Sequence, residues 1–246
     1  MRPRVTTLDP NLVLGAYSVG VFPMADGRDM DEVYWVEPND RAILPLDGFH
    51  LSKSLRKTIA AERYRVTADQ AFAEILQLCA ESADDRPDTW INTPIEQVFN
   101  TLHDLGFAHS IEVWDGETLV GGLYGLALGH AFFGESMVSR ARDASKVAIA
   151  WLVARLRVGG FSLLDCQFMT DHLASLGAVE ISRAAYLALL SPAVSSATGS
   201  SPSSSGVADF FALDRGFPLE SPAPPAATDS GPPSGKVIAQ LLTHTS

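Results

Sequence analysis

The chain has 246 residues, 46% of them hydrophobic, and a formal net charge of −11, which suits one medium domain with room for a small companion and a tail. No apolar run approaches the roughly 20 residues of a membrane-spanning helix, and Met1–Asn11 carries two Arg with no apolar stretch behind them, so neither a membrane span nor a secretory signal is expected. The two cysteines, Cys79 and Cys166, lack metal-type spacing and cannot form a disulfide framework, which points to the reducing cytoplasm, while the acidic balance taken alone speaks against a nucleic-acid partner.

In chain order, Leu12–Val21 reads as a short helix stopped at Phe22-Pro23, and Tyr34–Leu46 as strand and turn. Ser52–Ala61 is helical with Ser52 or Ser54 as cap, Arg65–Thr67 is a short strand, and Ala71–Ala80 places Phe72, Ile75, Leu76 and Cys79 at helical spacing. Thr93 is a natural cap for a helix over Thr93–Leu105, with Pro94 at its first position and Gly106 as its stop. Three strand-like runs follow, Ala108–Trp114, Thr118–Ala127 and Ala131–Met137, joined by turns at Asp115-Gly116 and Gly129-His130. Ala144–Arg157 is a strong helix ended by Gly159-Gly160, Phe161–Phe168 a buried strand, and Thr170–Gly177 and Ser182–Leu190 short helices. Residues 192–234 are rich in Ser, Pro, Ala and Gly and predict an extension without fixed structure, interrupted by the apolar patch Asp209–Leu213. Lys236–Leu242 suits one strand or helical turn that docks back. This order predicts an α+β fold with a mixed sheet, in the acetyltransferase-like (GNAT) layout where a helix crosses between central strands.

The charge is unevenly spread. Lys53, Arg56, Lys57, Arg63 and Arg65 cluster in 47–67, and Arg140, Arg142, Lys146, Arg155 and Arg157 in 140–157, while acidity gathers in 26–40 and 81–88. These basic runs are either solvated helix faces or local phosphate contacts.

Three segments carry polar chemistry: Phe132–Met137, Leu163–Gln167 and Thr170–Gly177. Alternation puts Asp165 and Gln167 on one strand face, with Leu164 and Cys166 on the other. A carboxylate within an apolar strand is costly unless paired or used. It either bonds a neighbouring backbone group or Arg, or belongs to a site. Gln167 beside it and Glu135 on a candidate neighbouring strand favour a site, and two nearby carboxylates raise one pKa in a way that suits proton transfer. Cys166 points away from Asp165 and is expected to pack rather than react. Coenzyme A would need a Gly-rich turn between the third strand and the long helix. The connection Val138–Ser145 contains no Gly and is bulky and basic, which leaves it suited to a different phosphate-bearing donor.

A series of motifs then resembles a known family. Gly15–Pro23, Tyr34-Trp35, Pro38, Arg41-Ala42, His50–Ser54, Thr89–Ile91, His109–Trp114, Gly121–Gly125, Gly134–Met137, Ala144–Lys146, Asp165–Gln167 and Asp171–Ala178 are similar, in order and spacing, to leucyl/phenylalanyl-tRNA–protein transferases. The resemblance covers residues 12–190. It implies a small N-terminal α+β domain (1–46), a GNAT-like catalytic domain (47–190) and, outside the signature, an extension (191–246). It implies transfer of Leu or Phe, less readily Met, from aminoacyl-tRNA to a protein whose N-terminal residue is Lys or Arg, marking it for degradation in the N-degron pathway. It implies no cofactor and no metal.

By the same resemblance Asp165 matches the catalytic carboxylate, Gln167 its partner and Glu135 the carboxylate at the aminoacyl pocket. Asp165 then either takes a proton from the acceptor amine, directly or through Gln167, or holds the amine in line with the ester. Leu123, Phe132, Met137 and Leu164, with Ser136 in the same motif, are candidates for a pocket that selects by shape, and ordinary core is the competing reading of the apolar ones. Trp35 and Trp90 either stack on the terminal adenine or line that pocket. Arg56, Lys57, Arg63, Arg65, Arg140 and Lys146 are candidates for contact with the tRNA acceptor end. Met24 stands where many members have Trp, and Leu123 where Met is common. Two rivals remain open: an acetyl-coenzyme A-dependent N-acyltransferase, and a non-catalytic module that binds a tRNA end or an N-degron.

Overall fold

Helices in this chain begin mostly where a side chain can satisfy the first free backbone amides. In the computed structural model, which describes residues 7–81, 89–195, 208–215 and 233–243, the elements run in the following order. They are α1 (Pro10–Ser18), β1 (Phe22–Met24), β2 (Tyr34–Val36), β3 (Asp40–Ile43), α2 (Lys53–Ala60), β4 (Arg65–Ala68), α3 (Phe72–Ala80) and α4 (Thr93–Asp104). Then come β5 (Ala108–Asp115), β6 (Thr118–Leu128), β7 (Ala131–Ser139), α5 (Ala144–Val158), β8 (Leu163–Gln167), α6 (Asp171–Ser175), β9 (Val179–Ser182), α7 (Arg183–Ser195) and α8 (Gly235–Thr243). Asp9, Ser52 and Thr170 cap α1, α2 and α6 with their side chains. The cap of α4 is Asn92, not Thr93: its side-chain oxygen accepts from Ile95 N at 3.1 Å, so Thr93 becomes the first helical residue.

Seven strands form one mixed sheet in the order β4-β5-β6-β7-β8-β3-β9. Every pair is antiparallel except β7–β8, which α5 joins by a crossover. This is the acyltransferase-like layout, with β1 and β2 forming a separate two-stranded hairpin in a small N-terminal unit. The strand β9 is not visible in the alternation of the sequence because it is a short edge strand, mostly exposed on both faces. Its partner β3 enters the main sheet between β8 and β9, so the sheet already includes chain that lies before residue 46.

Apolar side chains pack on both sheet faces. One cluster gathers Leu55, Ile59, Leu123, Leu152 and Leu164 with Ile238 and Leu242 of α8. The other gathers Val13, Tyr17, Ile75, Phe99, Phe133 and Tyr186. Residues 144–145 and 147–156 of α5 are all buried, so this helix shows little amphipathic pattern despite its central position. Its start lies close to β6 because Gly121 has no side chain: a Cβ there would stand 2.7 Å from that of Ala144.

The extension expected over 192–234 lies mostly outside the described residues, as do 1–6 and 82–88. Two pieces of the 191–246 segment are docked. Lys236–Leu242 belongs to the helix α8, with Ile238, Ala239 and Leu242 buried against α2 and α5. Phe210 stacks between His109 and Phe132, with ring centroids 4.2 and 5.7 Å away. Below it Arg155, buried in α5, donates to the Phe210 carbonyl at 2.9 Å and to both oxygens of Asp214. Phe210→Ala is expected to destabilise the fold by about 3–5 kcal/mol, read as a lower urea midpoint. An unchanged midpoint would mean that this segment does not hold the core.

Candidate functional site

β7 and β8 run in parallel register for only three pairs, Ala131↔Leu163, Phe132↔Leu164 and Phe133↔Asp165. Beyond these the strands part. β7 continues beside β6 to Ser139, while Gln167 pairs with Ala42 of β3. A cavity of about 600 Å³ opens where they separate, within the range of small-ligand sites. Leu123, Met137, Ile149, Leu152 and Leu164 give it an apolar wall, and Ser136, Ser145, Thr170 and His172 a polar one. Glu135 and Gln167 also line it.

The expected residues divide here. Glu135, Gln167, Ser136, Met137, Leu123, Leu164 and Trp90 meet at the cavity. Phe132 does not line it: its ring is fully buried against Phe161 and Phe210, although Leu164, its register partner on β8, does line the cavity. Trp35 is also elsewhere, paired with Pro23 in the β1–β2 hairpin and 37% exposed. Cys166 lies opposite Asp165, as alternation requires, and lines the cavity, where burial pushes its thiol well above the ordinary range.

Asp165 is not a cavity residue. It is 0% exposed and lies on the other sheet face, against Arg41 of β3 and Tyr186 of α7. Arg41 grips it with two nitrogens, Nε to Oδ1 at 2.9 Å and Nη2 to Oδ2 at 2.6 Å. The Tyr186 hydroxyl donates to Oδ2 at 2.7 Å, and the Gln167 backbone N–H donates to Oδ1 at 2.8 Å. Arg41 is itself buried, its guanidinium between the Phe22 and Tyr186 rings at 4.7 and 4.6 Å, with Nη1 donating to the Gly20 carbonyl at 2.9 Å. Gly20 suits that turn: it sits at φ +83°, and a Cβ there would meet the Tyr186 ring at 3.0 Å.

Simple alternation would have kept Gln167 with Asp165. Instead Gln167 takes a left-handed backbone, φ +61°, which for a non-glycine residue costs on the order of 1–3 kcal/mol. The bond from its N–H to Asp165 supports that turn, and its side chain lies in the gap between strands, where Nε2 donates to Glu135 Oε1 at 3.0 Å. Arg41 stood in a noted motif, but nothing local marked it as the partner of Asp165, 124 residues away. Its place in the apolar run Arg41-Ala-Ile-Leu44 was the available signal. Tyr17 and Tyr186 were not anticipated.

Glu135 is buried, and burial is the main cause that pushes its carboxyl from 4.5 up to about 8. The nearby Tyr17 hydroxyl and the bond from Gln167 act against this, Asp165 adds to it, and Arg41 opposes it. The Tyr17 hydroxyl interacts with Glu135, although neither it nor Oε2 closes a hydrogen bond of full geometry. Because the folded pKa is raised, Glu135 favours folding most below pH 4.5, and its contribution is lost as pH rises toward 8. Glu135→Gln is therefore expected to remove a decline of about 1.4 kcal/mol per pH unit within that window. Denaturant midpoints measured between pH 5 and 8 check this, and parallel curves for the two proteins would sink it.

Of the expected tRNA contacts, Arg140 lines the cavity and forms an ion pair with Glu81. Lys146 lies 3.9 Å from Asp143 and holds the His172 pKa down together with burial, which is the larger cause. Arg56 and Lys57 are exposed on α2, and Arg63 and Arg65 lie over the Tyr64 and Trp114 rings. The Tyr64 hydroxyl donates to the Arg142 carbonyl, tying β4 to the connection before α5. Among the described residues, no group of three His, Cys, Asp or Glu side chains is placed to hold a metal, and no helix is long and apolar enough to cross a membrane.

A family model described as leucyl/phenylalanyl-tRNA protein transferase matches residues 43–191, and one for the N-terminal domain of the same family matches residues 6–39. The chain is 58% identical to a "leucyl/phenylalanyl-tRNA--protein transferase" of Rhizorhabdus wittichii, covering 97% of this chain and 99% of that one. It is 64% identical to a protein of the same name from Zymomonas mobilis, covering 77% and 70% respectively. Among solved structures it is similar to L-PGS from Bacillus licheniformis at 11% identity and a TM-score of 0.41, over 63% of this chain and 65% of that one.

Proposed function

Because this chain belongs to the leucyl/phenylalanyl-tRNA protein transferase family, it is an aminoacyltransferase acting between aminoacyl-tRNA and protein N-termini, and we propose that Gln167 and Glu135 meet the reacting groups. The observation that carries this is the Glu135–Gln167 hydrogen bond on the wall of an apolar cavity, backed by the buried Arg41–Asp165 pair. The apolar wall suits a Leu or Phe side chain. The polar wall of Ser145, Thr170 and His172 suits the terminal ribose.

The chemistry is modest. The acceptor nitrogen bonds to the ester carbonyl carbon, the carbon–oxygen bond to the ribose breaks, the nitrogen loses a proton and the ribose oxygen gains one. The ester is already activated, so no acyl-enzyme is required, and Cys166, with its raised pKa, is a poor nucleophile for one. Nε2 of Gln167 is committed to Glu135, so the amide oxygen is the free acceptor for the incoming amine. Glu135, raised to about 8, is mostly a neutral acid at pH 7 and carries a proton within the site. Asp165 does not face the acceptor. It holds Gln167, so positioning outweighs direct proton abstraction by Asp165.

We further propose that acceptors begin with Lys or Arg, that transfer marks them for degradation, and that the protein works in the cytoplasm, where charged tRNA is found. The six basic residues named above are proposed to meet the tRNA acceptor end. One assay tests the reading: incubation with radiolabelled Phe-tRNA and a protein beginning with Lys or Arg. Label in the protein fraction supports it. Label arriving only from acetyl-coenzyme A would replace it with an N-acyltransferase, and label from neither donor with a binding module.

A further inference from the structure

We infer that Arg41 is a positioning residue for the transfer reaction: it fixes the carboxylate that turns Gln167 into the cavity, and so ties the reactive geometry to the N-terminal unit. The inference rests on the proposed role of Gln167.

Five hydrogen bonds carry it. Nε and Nη2 of Arg41 hold both oxygens of Asp165 in a two-point grip, and Nη1 holds the Gly20 carbonyl in the turn between α1 and β1. Asp165 passes this restraint on through one bond, Oδ1 to the Gln167 N–H at 2.8 Å, at the residue whose backbone leaves the strand conformation. Gln167 then directs its amide onto Glu135. A guanidinium is planar and makes both bonds at once, while an ammonium makes a single point contact and leaves the carboxylate free to rotate. The rings of Phe22 and Tyr186 fix the plane of the guanidinium, and the Tyr186 hydroxyl restrains the same carboxylate oxygen. Arg41 is 2% exposed and lines none of the cavity, so its hydrogen bonds reach Gln167 only through Asp165, while its charge also helps hold the Glu135 pKa down.

The experiment is a pair of kinetic cycles on the full chain, with saturating Phe-tRNA and a Lys-initiated acceptor. Arg41→Lys is expected to lower kcat by about 30-fold and Tyr186→Phe by about 5-fold, with KM for both substrates within about twofold of the parent. In a Gln167→Ala background each change is expected to lower kcat no further, because the group they position is gone. Loss of kcat by the same factor in both backgrounds would show a general structural role and overturn the inference. So would an unchanged kcat in the single variants. If Arg41→Lys does not fold, as its thermal melt would show, the Tyr186→Phe cycle decides alone. A parent protein that transfers no label would overturn the function and this inference together, whereas a parent that transfers label with additive cycles would overturn this inference only.

Discussion

Asp165→Ala is expected to lower folding stability by about 3–5 kcal/mol and to abolish transfer. The substitution leaves Arg41 buried, with only the Gly20 carbonyl and two ring faces around it. An uncompensated charge in such a place is expensive, and the Tyr186 hydroxyl and Gln167 N–H lose their acceptors as well. Asp165→Asn keeps the shape but loses the charge, and should fall between the two. Guanidinium denaturation reads the effect as a shift of the midpoint at constant slope. A midpoint within error of the parent would show that the pair contributes little. Loss of activity in this variant therefore reports on architecture as much as on chemistry.

Gln167→Ala separates the two. Its side chain lies on the cavity wall and bonds one partner, Glu135. We expect kcat to fall by about 10²–10³-fold, the scale of losing one preorganised polar group at a reacting centre. KM for Phe-tRNA should barely change, because the apolar wall of Leu123, Met137 and Leu164 is intact. Stability should change by no more than about 1–2 kcal/mol, the loss of one buried hydrogen bond. Steady-state kinetics with a thermal melt of the same preparation checks all three. A variant that keeps its kcat would move the reacting amine away from Gln167.

The ordered motifs made much of this legible. The α+β layout, the crossover by α5 and the meeting of Glu135 with Gln167 follow from local pattern and from the resemblance. The parts that were not legible depend on contacts distant in sequence or on single backbone angles. Alternation cannot show that Gln167 turns to φ +61°, since that angle is set by the Asp165 oxygen behind it. Phe132 is as apolar as Leu123 or Leu164, and only its ring contacts with Phe161 and Phe210, the latter far away in sequence, show that it belongs to the core rather than the cavity. The family resemblance puts Trp35 with the site, while its pairing with Pro23 places it on the hairpin. Arg41 shows the limit best: a charged residue in an apolar run signals a buried partner, and the identity of that partner is a property of the folded sheet.

The separation of Arg41 from Asp165 also governs when, during synthesis, the chain becomes an enzyme. The two lie 124 residues apart, so at ribosomal speeds of about 5–20 residues per second Arg41 waits roughly 6–25 s for its carboxylate. Over that interval β3 has neither of its sheet neighbours, because β8 and β9 are both encoded later. Tyr186 follows later still. The nascent chain thus carries its basic segments and much of its apolar wall well before it can hold Gln167 in place, and competence to transfer arrives in one late step, when the β8–β3–β9 edge closes.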